Sequence, residues 1–502
     1  QAIDPNSPDP EFGPTAANVV DHVLAKSCGS CHLDRYGTGD APGLHRSSGC
    51  SACHSTYDED GLSKSNDPWV DKTTPSHPVT HALAKSPHTT QCAACHHYSE
   101  AIGLNYQGLR RAGSDEPDTR VTLGRPLYGL DADGHITDEN SDNQYDETPP
   151  DVHFSAGMHC ADCHTAGDAH GPENPTLRGS CAVTVRCEDC HGSVRERASE
   201  ISHLPRLQVN NDAVSLRLAI GGKSLEVPQI VDAVNPESPA HNPLAERVMG
   251  IRADGRSHTD DIACQTCHAA WLPSQYGQFA TLDLRVEQTA DTTGILTPGG
   301  VTLSDGPVAT NDLILGIDGE GRLRPTIPSG RWFFTLISED QENSETATRL
   351  FEQQPLIRTS TMGQTAAFTQ RPVDPHTTTL RSGFAACNRC HTQGDPDTPL
   401  NGVLLDVTFG AGSNRFNTTG CDVERGIEIT ELPCDGTNLK TYRLDALFTP
   451  EGDQRAIFEW GSPVSSDAIT RMKGVVLAED APILLPIPAT DDDRAYPPFI
   501  PE

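Results

Sequence analysis

Seven times in 502 residues the chain repeats Cys-x-x-Cys-His: Cys28, Cys31 and His32; Cys50, Cys53 and His54; Cys92, Cys95 and His96; Cys160, Cys163 and His164; Cys187, Cys190 and His191; Cys264, Cys267 and His268; Cys387, Cys390 and His391. Two thiols three positions apart can add across the vinyl groups of a haem, and the histidine that follows is placed to bind its iron from one side. With 17 Cys and 21 His in the chain, chance would supply on the order of 0.02 copies of such a pentapeptide. Paired Cys-x-x-Cys units also build tetrahedral zinc sites. Zinc, however, does not require His at the next position every time, and all seven copies have it.

Over these 35 positions the chain resembles the multihaem c-type cytochromes. The resemblance implies seven covalently attached haem c groups, held by the fourteen motif cysteines, with the seven motif histidines on iron. What occupies the opposite face of each iron separates electron carriage from chemistry on a substrate. Only four Met are present, Met158, Met249, Met362 and Met472, too few to serve seven irons. Fourteen histidines remain outside the motifs, twice the number needed, so bis-histidine ligation throughout is possible.

Placement narrows the choice of distal ligand. His22, His45, His88, His153 and His258 stand 4 to 7 residues ahead of a first motif Cys, and His376 stands eleven ahead of one. A turn or two of helix there would bring the upstream imidazole to an adjacent haem rather than its own. His97 follows a motif His directly and must point elsewhere, and His159 precedes Cys160. His81, His170 and His203 lie in the motif-dense part of the chain. The distal set is therefore expected among His22, His45, His81, His88, His97, His153, His159, His170, His203 and His258. A surface or propionate-bonding histidine is the alternative for each. Short spacing also suggests that the first and second sites, and the fourth and fifth, form stacked pairs.

The elements that must hold these groups are sparse. Apolar residues make up 35% of the chain and aromatics 5%, low for an ordinary core, and macrocycles would supply the missing apolar surface. The expected fold is mostly irregular and haem-packed, with short helices at the motifs and β-rich, haem-poor segments in the C-terminal half. Residues 1–17 read as an extended arm and 18–205 as a five-haem domain. A β-hairpin and the sixth haem fall in 206–275, with strands over 213–220 and 224–231 about the turn Gly221-Gly222. Residues 276–375 read as an insertion of short strands, 376–400 as the seventh-haem segment, and 401–502 as a β-rich region with a Pro-rich tail.

Two side features remain. Asp131, Asp133, Gly134, Asp138 and Glu139 resemble part of a calcium loop, but Gly129 and Asn140 stand where two ligands belong, so an Asp-rich hairpin turn competes with calcium. Three cysteines lie outside the motifs. Cys421 and Cys434 are expected to form a disulfide, and Cys181 is either a buried thiol, an intermolecular bridge or a reactive group.

The formal charge of −33 disfavours nucleic acid and anionic lipid and favours cationic partners or positively charged oxide surfaces. A solvated or salt-adapted surface would carry the same charge. No apolar run reaches the length of a membrane span. Haem attachment of this kind takes place outside the prokaryotic cytoplasm, so the reading is an exported protein with a cleaved leader, extracellular or at the cell surface, with the periplasm as the alternative. The resemblance implies an electron-transfer protein of the extracellular kind, acting on redox partner proteins or acceptors such as metal oxides. Some relatives of that group polymerise, so other copies of the chain are potential partners. The competing class is an enzyme acting on a small nitrogen or sulfur compound at one open haem, with Cys181 as its best residue.

Overall fold

The computed structural model describes residues 22–28, 49–55, 83–93, 95–96, 102–111, 129–130, 136–137, 145–147, 149–170, 183–210, 213–275, 278–290, 295–305, 308–309, 314–329, 332–340, 343–355, 368–380, 387, 390–391, 406–410, 413–417, 422–431, 440–448, 454–458, 461–464, 468, 471–472 and 474–475. Around the motifs the chain forms single helical turns: Leu24–Cys28, a π-helical turn, then Cys50–His54, Thr89–Ala93, Cys160–Cys163, Cys187–His191 and Cys264–His268. One turn suffices because 3.6 residues per turn bring positions i, i+3 and i+4 to one face. Backbone bonds of 2.9, 2.8 and 2.9 Å from the motif His N–H to the first Cys carbonyl close the turn at His96, His164 and His391.

Caps fix where these turns begin. Asp162 and Asp189, each just before the second motif Cys, accept the backbone N–H of His159 and Arg186 at 2.8 Å, satisfying donors that a helix start leaves open. Asp162 is also buried against Arg206 and accepts the Ala219 N–H at 2.6 Å. It thereby ties the fourth motif to the sheet that follows.

That sheet has three antiparallel strands, Leu207–Asn210, Ala213–Arg217 and Ser224–Glu226. Its turn carries Gly221 and Gly222 at φ 71° and 66°, a region open to glycine. The expected second strand stops at Glu226. Pro228 cannot donate to a ladder, and Ile230–Val234 is helical instead. Alternation buries Val214 and Leu216, which pack with Met158, Ala198, Leu218 and Val227 against Cys190.

Beyond the sixth motif the strands are longer than the short ones expected. Ile295–Asp305, Gln278–Ala290, Trp332–Asp340 and Asn343–Pro355 form a four-stranded sheet in that order. Its inward residues Ala280, Leu282, Phe334 and Leu336 pack on Val23, at the first motif. Buried Lys26 reinforces the joint, its Nζ donating to the carbonyls of Thr297 (3.0 Å), Pro298 (2.7 Å) and Gly299, where the strand bulges. Burial pulls its pKa down.

A seven-stranded sheet joins Ile314–Asp318, Leu323–Ser329 and Phe368–Pro372 to Asp422–Glu431, Lys440–Phe448, Gln454–Phe458 and Gly461–Pro463. Strands from both sides of the seventh motif therefore share one sheet. Its core of Leu272, Leu315, Leu323, Ile327, Val373 and Val464 packs against Cys390 and Met472. Among the described residues no helix is long and apolar enough to cross a membrane.

Candidate functional site: paired imidazoles along the motif chain

Four motif histidines each face a non-motif histidine at nearly one separation. Ring centroids lie 6.2 Å apart for His54 and His170, 6.1 Å for His164 and His376, 6.1 Å for His191 and His153, and 6.2 Å for His391 and His258. Rings in direct contact lie closer, as His88 and His159 do at 4.2 Å. A metal–imidazole bond of about 2.0–2.1 Å, with the ring centre roughly 1.1 Å behind its nitrogen, puts two imidazoles on opposite faces of one ion about 6.2 Å apart. The four separations fit one iron per pair.

The other ring nitrogen is engaged in nearly every member. Nδ1 of His54 contacts the Ala84 carbonyl at 2.6 Å, of His191 the Pro228 carbonyl at 2.9 Å, of His258 the Val248 carbonyl at 2.5 Å, of His376 the Asp374 carbonyl at 2.8 Å and of His391 the Met472 carbonyl at 2.9 Å. His268 uses the Thr379 carbonyl at 3.1 Å. His153 contacts Asp151 Oδ1 at 2.8 Å and His164 contacts Asp168 Oδ2. A carbonyl or carboxylate accepts only from a protonated Nδ1, which leaves Nε2 unprotonated and able to bind metal. Burial lowers the pKa of His96, His191 and His391, which also keeps these rings neutral.

Thiols join one motif to the next. Cys92 and Cys160 share a hydrogen bond, as do Cys187 and Cys264, and the sharing raises the pKa of Cys92 and Cys187. Cys53 is near enough to add to the shift of Cys92. Burial pushes Cys163 up to about 12 with Cys190 adding, and Cys267 up to about 11 with Cys387 adding. Motifs two to seven thus follow one another in space in sequence order. Hydrogen-bonded thiols join the third motif to the fourth and the fifth to the sixth. The fourth and fifth motifs, expected as a pair, are neighbours through Cys163 and Cys190, while Cys31 and His32 of the first motif lie outside the described residues.

Cys163, His88 and His96 are exposed to solvent, and burial of part of each side chain nonetheless pushes Cys163 up to about 12, His88 down to about 4 and His96 down. Trp271, three residues past His268 and 5% exposed, has an Nε1–H without a protein acceptor. A buried unmet donor costs about 1–3 kcal/mol. With the paired imidazoles, this unmet donor fits a bound group that carries acceptors, as a haem does in its propionates.

Of the expected distal residues, His153, His170 and His258 face motif histidines. His88 and His159 face each other, with His159 Nδ1 on Thr89 Oγ1 at 3.0 Å. His22 lies against Gly299, and exposed His203 follows the helix Ala198–Ile201. His45, His81 and His97 lie outside the described residues, as do Cys31, His32, Cys181, Cys421 and Cys434. His376, absent from the expected set, is the partner of His164. It is also the one non-glycine residue with positive φ among the described residues, 55°, a conformation His tolerates better than most. His241 is held through Nε2 by Glu246 at 2.8 Å, the nitrogen a ligand would need. Gly129–Leu130 pairs with Ile136–Thr137 in a hairpin, while Asp131, Asp133, Asp138 and Glu139 fall outside the described residues. No group of three or more His, Cys, Asp or Glu arranged for a metal occurs among the described residues. The paired sites supply two protein ligands each, so a macrocycle would have to supply the rest.

No protein-family model, no curated protein and no solved structure matches the chain.

Proposed function

We propose that the seven motifs each bind a haem c covalently and that the chain is an exported electron-transfer protein. The second, fourth, fifth and seventh irons would be held by His54 with His170, His164 with His376, His191 with His153, and His391 with His258. The observation that carries the reading is the common 6.1–6.2 Å separation of these four pairs, each of one motif and one non-motif histidine. When bound, the haems supply one-electron iron couples in close succession. The chain's own residues hold seven of these eight imidazoles by Nδ1–H, which keeps Nε2 free of protons, and set the motif members in short helical turns. Two histidines on an iron leave it no position for a substrate, which supports carriage over catalysis at these four sites. The charge of −33 supports cationic redox partners or positively charged mineral surfaces as the other parties.

Intact mass and the ultraviolet–visible spectrum of protein made with haem-ligation machinery test the reading. The expected result is a polypeptide heavier by seven haems with a low-spin spectrum in both oxidation states. A polypeptide of unmodified mass, or one that holds zinc, would overturn it.

A further inference from the structure

Hydrogen-bond acceptors divide the imidazoles into two groups. Six described imidazoles meet neutral backbone carbonyls: His54, His191, His258, His268, His376 and His391. Within the four pairs, two meet carboxylates through Nδ1: His153 with Asp151, and His164 with Asp168. These two belong to the pairs at the fifth and the fourth motif, neighbours along the motif chain. Resting on the haem-binding reading above, we propose that Asp151 and Asp168 are positioning residues that set the fourth and fifth haems at lower potential than the second and seventh, with Asp151 the stronger.

A carboxylate accepting Nδ1–H draws the proton toward itself and raises the electron density at Nε2. A more basic ligand stabilises ferric over ferrous iron, and a fixed negative charge close by does the same. Asp151 is built for this: its side chain is 2% exposed, against 11% for Asp168. Burial lessens screening by water and salt. Its position is fixed on both sides. Oδ1 also accepts the His153 backbone N–H at 2.9 Å, and Oδ2 accepts the Thr378 N–H at 2.6 Å. Arg206, the cation that acts on Cys190 in the fifth motif, is itself paired with Asp162.

The Thr378 contact adds a second role. The segment that presents its N–H to Asp151 carries His376, whose ring faces His164, and the Thr379 carbonyl that holds His268. Val152 N–H donates to the Thr378 carbonyl at 2.9 Å. One strap, residues 374–379, bent at His376, therefore sets an imidazole at the fourth, fifth and sixth motifs. In a partly reduced molecule, the second and seventh haems would take electrons before the fourth and fifth.

The test is a spectroelectrochemical titration of full-length haem-loaded protein carrying Asp151→Asn or Asp168→Asn, with haem content and ferric electron paramagnetic resonance measured in parallel. Asn retains an oxygen acceptor and removes the charge. Each variant is expected to keep seven haems and to raise one of the lowest-potential components by about tenfold in its reduction equilibrium, ~59 mV for one electron. Asp151→Asn should give the larger change and shift the g-values of a single ferric signal, the one that His153→Ala converts to high spin. Seven haems with all potentials unchanged would overturn the proposal and leave haem binding intact. Absence of haem from wild-type protein would instead overturn the reading on which it rests. Should Asp151→Asn fail to fold, Asp168→Asn decides on its own.

Discussion

At the scale of single residues, the proposal rests on eight imidazoles, four from motifs and four from outside them, set in four pairs. Cys-x-x-Cys-His carries its geometry within one helical turn, so all seven copies are visible in the sequence. A distal histidine is defined only by the fold. His153 and His258 stand just ahead of a motif, and each faces the next motif along, His191 and His391, as upstream placement suggested, although that placement alone does not say which neighbour is met. His376 escaped the sequence reading because its one local cue, a place ahead of the seventh motif, points to the wrong partner. Its ring stacks instead at 15° to that of His164. Replacing His376 by Ala should leave seven haems attached and convert one of them from low to high spin, read by electron paramagnetic resonance. His376→Met should keep that haem low-spin and raise its potential. A spectrum unchanged by both substitutions would remove His376 from iron.

At the scale of elements, the hairpin about Gly221-Gly222 was legible from alternation, and its early end at Glu226 follows from Pro228. Strand pairing across the seventh motif was not legible, because the partners lie far apart in sequence and no local pattern sets their register. Two small elements invite direct tests. Asp162 is buried and takes charge-assisted hydrogen bonds from Arg206, so Arg206→Ala leaves a buried carboxylate with only backbone donors. We expect a loss of about 2–3 kcal/mol in chemical denaturation, with the fourth and fifth haems the first to lose their native spectra. The helix His258–Asp261 starts at Ser257, whose N–H donates to Asp260 at 2.8 Å, while Arg195 donates to both oxygens of Asp260 at 2.8 and 3.0 Å. The hydrogen bond from Arg195 holds the Asp260 carboxyl below its ordinary range. A carboxyl depressed on folding contributes stability that is full above its ordinary pKa, about 3.9, and is lost as pH falls through the folded value. Asp260→Asn should therefore be less stable than wild type at neutral pH, and the difference should shrink below about pH 4.

At the scale of the whole molecule, the described protein core is divided rather than continuous. Three clusters of seven, five and six buried residues stand behind the seventh, first and fifth motifs respectively. Each is a sheet face with a motif packed on it, and among the described residues no cluster joins all three. Composition pointed to this shortage of apolar residues, although it could not show that sheets would back the motifs. Chain made without haem attachment is therefore expected to lack cooperative unfolding, measured by calorimetry, while the haem-loaded protein unfolds with a defined transition. Whether one iron sits between the rings of each of the four histidine pairs is decided by an experimental structure of the haem-loaded protein at a resolution that shows axial ligands. Iron is expected between His54 and His170, His164 and His376, His191 and His153, and His391 and His258. Iron ligated on its distal face by any other residue at these motifs, or metal bound by cysteines alone, would contradict this arrangement.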